Sequence, residues 1–355
     1  MDQVKGDRFN GHSISIGVFA HNEERNILST LQSLMSQDLF RLPHSSNTRI
    51  SVSVIANGCT DATVRIASDF MHKQSTFDGQ VIELQKAGKS NAWNQFVHRP
   101  EFHDVDYFVC TDSDIEFGSS SVISTLIERL SCDNEAYLAV DVAKKDTELK
   151  ARKTSYERLS LLFSRFMRHG STSVAGSLYC AKGHVLRRVH MPEGLPVEDG
   201  FLRAMLVTDL FKQPDNTKRI LVVNDVWHYF TPDSSLSSLL RHEERLLIGT
   251  YINSVIYGFL WSEVSNMGLD AGELISNKNR DDPLWVEDLL SQHRQSNQPL
   301  ISRNHYTKYW NRWKQLPSLK KVVYCPLMIA GTFVRYILIS RVKRHLKGVS
   351  GLGHW

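Results

Sequence analysis

The sequence predicts an α/β fold, a mostly parallel sheet with helices on its faces, and three observations carry that prediction. Short apolar runs of strand type alternate with helix-periodic segments through the first 140 residues. Polar groups, Asn22, Asn57–Asp61 and Asp112–Asp114, fall at the ends of three of those runs, where ligands bind in parallel sheets. The chain has 355 residues, 41% hydrophobic and 23% charged, enough for a large core in one domain or two.

Taken in order, SISIGVF (13–19) is an apolar run of strand type. ERNILSTLQSLMSQ follows, with Ile27, Leu28, Leu31, Leu34 and Met35 at helical spacing, and Asn22 and Glu23 suit a cap and a first-turn acid. SVSVIA (51–56) reads as the second strand and NGCTD as a turn, with Asp61 an N-cap for a helix over about 61–73. A strand QVIEL (80–84), a helix over about 90–98 and a strand YFVC (107–110) complete the alternation. Lys89, between Gly88 and Ser90 at a helix start, joins a cation to a helix N-terminus, a combination suited to phosphate.

The fourth strand runs straight into Asp112, Ser113 and Asp114. Ionised carboxylates at a strand end are costly to desolvate without a compensating positive charge. One reading is a Mg2+ or Mn2+ site, with one carboxylate toward the metal and the other toward a sugar or phosphate. The other is a turn cap at Asp112 beside a solvated Asp114.

Formal charge is +4, with 42 basic against 38 acidic residues, too small an excess to imply nucleic-acid binding. Basic residues gather at the C-terminus around the apolar run 322–340, which Pro326 and Arg335 interrupt. That composition points to a helix over 320–347 that lies in a membrane interface or packs on the α/β domain. Five scattered cysteines without CxxC spacing read as buried free thiols in a reducing compartment, and MDQVKGDRFNGHS lacks the apolar core of a secretory signal. Both readings favour the cytoplasm, with peripheral attachment to the inner face of the membrane. Residues 264–305 form the most polar, linker-like stretch.

Six segments in order resemble the family 2 glycosyltransferases: IGVFAHNEERNILSTLQSL, VIANGCTDATVRIA, KAGKSNAWN, VCTDSDIEF, SVAGSLYCAKG and PVEDGFLRAML. The resemblance covers roughly residues 13–250. It departs at His21, where Tyr is common, and at Asn57, where Asp is usual. It implies a glycosyltransferase-A (Rossmann-like) mixed sheet in a catalytic domain of residues 1–250, and the remaining 251–355 read as a helical C-terminal extension. It also implies an inverting transfer from a nucleotide-diphosphate sugar to a glycan, lipid-linked or small-molecule acceptor. Asp199 would be the catalytic base, with Glu198 beside it. Ala20, Asn22, Glu23, Asn57, Lys89 and Asp112 would face the donor, and Asp112 and Asp114 the metal. His228, in VWHYF, matches a late metal-ligand His of some related enzymes, although a packed strand histidine fits the same sequence. Arg241 and Arg245 in RHEER stand near the family's QxxRW segment, whose Gln and Trp are absent; they suit a diphosphate, or with Glu243 and Glu244 a solvated salt-bridged face. Two other classes fit parts of the sequence. A catalytically degenerate nucleotide-sugar-binding or membrane scaffold protein is one, and a haloacid-dehalogenase-type phosphotransferase, which also places DxD after an apolar strand, is the other.

Overall fold

The computed structural model describes residues 11–41, 47–74, 77–167, 174, 176–232, 235–296 and 299–348. In chain order the elements begin with β1 (Ser13–Ala20), α1 (Ile27–Met35), β2 (Arg49–Asn57), α2 (Thr63–Met71), β3 (Asp78–Leu84), α3 (Lys89–Val97) and β4 (Tyr107–Asp112). There follow β5 (Ile115–Phe117), α4 (Val122–Ser131), β6 (Leu138–Lys145), α5 (Ser155–Met167), β7 (Leu178–Lys182), α6 (Gly183–Leu186) and α7 (Glu198–Val207). Last come β8 (Ile220–Phe230), α8 (Leu236–Met267), α9 (Ala271–Asp281), α10 (Trp285–Gln295), α11 (Arg303–Tyr306), α12 (Lys308–Lys314) and α13 (Ser318–Gly348).

The chain forms two compact units, one of Met1–Lys145, Thr172–Thr231 and Leu260–Pro283, the other of Asp146–Ser171, Pro232–Phe259 and Leu284–Trp355. In the first, the described strands make one mixed sheet of order β3-β2-β1-β4-β7-β6-β8-β5. β3, β2, β1 and β4 are parallel, as the alternating pattern predicts, whereas β7 enters antiparallel between β4 and β6. Both faces are covered, so β1 and β4 are almost continuously buried. Ile14, Ile16 and Val18 share one core with Leu31 and Leu34 of α1 and Leu126 and Ile127 of α4. Near the opposite face Phe96 packs edge-on against Phe19, Phe102 and Phe108. Gly17 is required there, because a Cβ at that position would lie 2.6 Å from the Phe96 ring.

In the second unit Phe166 of α5, Tyr309 of α12, Leu316 and Met328 of α13 form a small core. Arg312 Nε donates to the Phe166 carbonyl at 2.7 Å. Arg335 of α13 pairs with Glu243 of α8 at 2.9 Å, and Arg341 with Glu244 at 2.9 Å.

The stretch 264–305 departs from the linker expected of it, because most of it is helix. Few apolar residues suffice: Ala271 and Ile275 bury from α9, and Trp285, Val286 and Leu290 from α10. Asp270 caps α9 by accepting from Gly272 N at 2.9 Å and Glu273 N at 3.3 Å. All five cysteines are free, but only Cys110 and Cys180 are buried, and Cys132 is exposed, unlike the buried thiols expected. Burial pushes the Cys110 thiol up to about 12.

Candidate active site

The three polar strand ends come together beyond the carboxyl edge of the parallel strands. β1 pairs with β2 on one side and β4 on the other, so Ala20, Asn57 and Asp112 end neighbouring strands. Asn22 adopts a left-handed backbone (φ 55°), which Asn tolerates better than most residues. It is not the cap of α1, whose N-cap position is Asn26; its Oδ1 accepts from Thr60 N at 2.8 Å and ties the first loop to the second. Glu23 is half-buried, and its Oε2 accepts from the Asn26 amide at 2.7 Å. Asp61 sits at the entry of α2, accepting from Thr63 N at 3.0 Å and Glu24 N at 3.1 Å, which hold its carboxyl below the ordinary range against the opposing effect of burial.

Asn57 is buried and its Oδ1 accepts from Gly88 N at 2.8 Å. That bond latches the end of β2 to the turn before α3. Gly88 has φ 149°, a conformation open to glycine, and it delivers Lys89 to the first position of the helix. α3 itself is fixed to β7 and to the segment before α7: Trp93 Nε1 donates to Tyr179 Oη at 2.6 Å, Asn94 Nδ2 to the Met191 carbonyl at 2.8 Å, and Leu195 N to Ser90 Oγ at 3.3 Å.

Lys89 is thereby brought to two carboxylates distant in sequence. Its Nζ lies 2.5 Å from Asp112 Oδ1 and 3.1 Å from Glu198 Oε1. A cation at a helix N-terminus is disfavoured by the macrodipole, and burial also lowers its basicity, yet Asp112 and Glu198 outweigh both and hold Lys89 protonated, well above the ordinary lysine range. Asp199 is half-buried beside Glu198; withdrawal from water, then the neighbouring Glu198 charge, push its carboxyl up. Enclosure in the crevice and the charge of Glu23 likewise raise Asp114, whose side chain reaches solvent. Four carboxylates, Asp112, Asp114, Glu198 and Asp199, therefore share the field of Lys89. The surplus of negative charge in this oxygen-rich set suits a hard divalent cation. Among the described residues no three His, Cys, Asp or Glu side chains already stand grouped as a metal site.

His228, on β8, is fully buried. Its Nδ1 lies 2.8 Å from Asp141 Oδ2 on β6, and its Nε2 lies 3.0 Å from Ser177 Oγ. Carboxylate backing of one ring nitrogen is the arrangement that orients a ligating imidazole, and it equally satisfies a packed one. Asp141 and Ser177 carry no sequence signal: Asp141 interrupts the strand LAVDVAKK, and only its register opposite β8 shows the partner. Ser173 and Ala175 of the SVAGS segment lie outside the described residues. Arg241 and Arg245 lie exposed in the first turns of α8 in the second unit, and the two acids between them, Glu243 and Glu244, are engaged by Arg335 and Arg341.

Residues 15–191 match the model of glycosyl transferase family 2. No curated protein matches the chain. The mannosyltransferase PcManGT from Pyrobaculum calidifontis, solved with GDP-Man and Mn2+, is similar at 14% identity and a TM-score of 0.54, over 97% of this chain and 90% of that one. Glucosyl-3-phosphoglycerate synthase from Mycobacterium tuberculosis, solved with Mn2+, UDP-Glc and phosphoglyceric acid, shows 19% identity and a TM-score of 0.48 over 70% of this chain and 81% of that one. The mixed sheet flanked by helices is the glycosyltransferase-A fold, and the chain belongs, through residues 15–191, to glycosyl transferase family 2.

Proposed function

We propose that the chain transfers a sugar, with inversion, from a nucleoside diphosphate donor to a hydroxyl acceptor in glycan or glycolipid biosynthesis. A UDP-sugar is the first donor to test. The observation that carries this reading is the meeting of Asp112 and Glu198 on Lys89, which joins the expected donor side and acceptor side of the crevice at one cation.

Each side chain then has a task its surroundings favour. Glu198 is engaged by Lys89, whereas Asp199, with a raised carboxyl, is matched to accept a proton from an attacking hydroxyl. Lys89, at the first position of α3, lies at a helix N-terminus, a setting suited to a diphosphate. Asp112 and Asp114, with His228 as a third candidate, would hold a Mg2+ or Mn2+. Bound there, such an ion would stabilise the charge of the departing diphosphate. Buried, unpaired Cys110 and Cys180 support a cytoplasmic location.

The test is calorimetric titration of UDP and GDP, with Mn2+ and again with EDTA, into the wild type and Asp114→Asn. Metal-dependent binding of one nucleotide, lost in Asp114→Asn, is expected. Metal-independent binding would remove the role given to Asp112 and Asp114, and binding of neither nucleotide by folded protein would overturn the donor site.

A further inference from the structure

Helix α13 is apolar and long enough to cross a bilayer, yet only 22% of its apolar stretch is buried. A core helix of a soluble domain would be mostly covered. Leu319, Val322, Val323, Ile329, Phe333 and Ile337 are exposed and, at ~100° per residue, fall within an arc of about 120°, so they form one stripe about 27 Å long at ~1.5 Å per residue.

The opposite flank is fixed to the second unit. Met328 sits in the small core with Phe166 and Tyr309. Arg335, buried, is held by Glu243 at 2.9 Å and by the His305 carbonyl at 2.9 Å. Crossing a bilayer would carry this ion pair and the polar start of α8 into hydrocarbon, which is costly. Lying flat exposes only the apolar stripe.

Charge and aromatic placement name the occupant. Residues 289–355 hold 12 Lys and Arg and no Asp or Glu, while the preceding 288 residues hold 30 basic and 38 acidic residues. Lys320 and Arg344 are exposed near the two ends of the stripe. On α12, exposed Trp310 stacks on Trp313 with ring centroids 5.2 Å apart, and Lys314 and Lys321 lie over these rings at 5.3 and 5.6 Å. Trp with Lys beside an apolar face is the composition of a membrane-water boundary. A nucleic acid would use the charge and leave the stripe unexplained.

We propose that the second unit docks on an anionic bilayer surface, with the exposed face of α13 lying in the headgroup region and the basic residues around it contacting lipid phosphates and carboxylates.

The experiment is flotation of the full chain with vesicles of phosphatidylglycerol and phosphatidylcholine, and with phosphatidylcholine alone, alongside Val322→Glu/Phe333→Glu and Lys320→Glu/Arg344→Glu. All four substituted side chains are exposed, so the fold should persist, checked by thermal melting and by nucleotide titration. Anionic vesicles should bind about tenfold or more tightly than neutral ones, and each double variant should lose about tenfold. Equal binding by Val322→Glu/Phe333→Glu, as for a surface that reads charge alone, would overturn the proposal. So would absence of vesicle binding in a chain that dimerises through this face, seen by sedimentation as a dimer that the same variant dissociates.

Discussion

Replacing Lys89 with methionine keeps the length of the side chain and removes the cation between Asp112 and Glu198. The three side chains retain 32, 27 and 17% of their exposure, so the cluster is neither a surface pair nor a fully buried one. Breaking a buried pair costs ~3–5 kcal/mol because a carboxylate is stranded, while an exposed pair is worth ~0–1 kcal/mol. Intermediate exposure places the loss at about 2 kcal/mol, equivalent to a fall of roughly 4–8 °C in Tm for a unit of this size. Adding Asp112→Asn to Lys89→Met should recover at least half of that loss, since the second substitution removes a stranded charge. pH gives an independent sign. A carboxyl raised in the folded state binds protons more readily there than in the unfolded chain, so it destabilises when ionised. Asp112 is raised by burial even with Lys89 present, so Lys89→Met should gain stability relative to wild type as pH falls from above the raised value toward the ordinary carboxylate value. Urea denaturation at several pH values measures both effects. A Lys89→Met variant within ~0.5 kcal/mol of wild type, or one made worse by Asp112→Asn, would refute the reasoning.

Asp199→Asn should lower sugar transfer by about 10²–10⁴-fold while leaving nucleotide binding intact. Because the Asp199 carboxyl is raised, wild-type transfer should fall away on the acid side at a pH above the ordinary carboxylate range, and a limb at the ordinary value would argue against this base. Gly17→Ala should cost ~1–3 kcal/mol in urea denaturation, as its Cβ meets the Phe96 ring. Asp141→Ala leaves the buried His228 Nδ1 without its acceptor and should cost ~1–3 kcal/mol, with Asp141→Asn costing less because an amide oxygen can still accept.

Much of the first unit was legible because its signals are local. The change from strand to helix periodicity placed β1 to β4 and α1 to α3 within a few residues, and the polar strand ends marked the crevice. Lys89, Asp112 and Glu198 were each visible as candidates, but their contact depends on α3 being clamped to β7 and Met191, which no local pattern encodes. Asp141 was invisible because a single acid within a strand identifies no partner until β8 is laid alongside it. The antiparallel entry of β7 is a matter of sheet order, and a short apolar run reads alike in either direction. The polar 264–305 stretch misled because two short helices can each be anchored by two or three buried side chains.

The two aspartates of the TDSD turn stand next to strands at different places in the sheet. Asp112 closes β4, hydrogen-bonded into the sheet centre, whereas Asp114 leads into β5, a three-residue strand at the far edge that pairs, among the described residues, with β8. Thr30 Oγ1 holds the span between them through the Ser113 and Ile115 carbonyls at 2.8 and 3.1 Å. Ile115 and Phe117 of β5 are buried in the main core, and Phe117 N donates to Ser33 Oγ at 3.0 Å. An edge strand so pinned to α1 keeps its place, and the spacing of the two carboxylates is thus set from beneath, by the first helix as much as by the sheet.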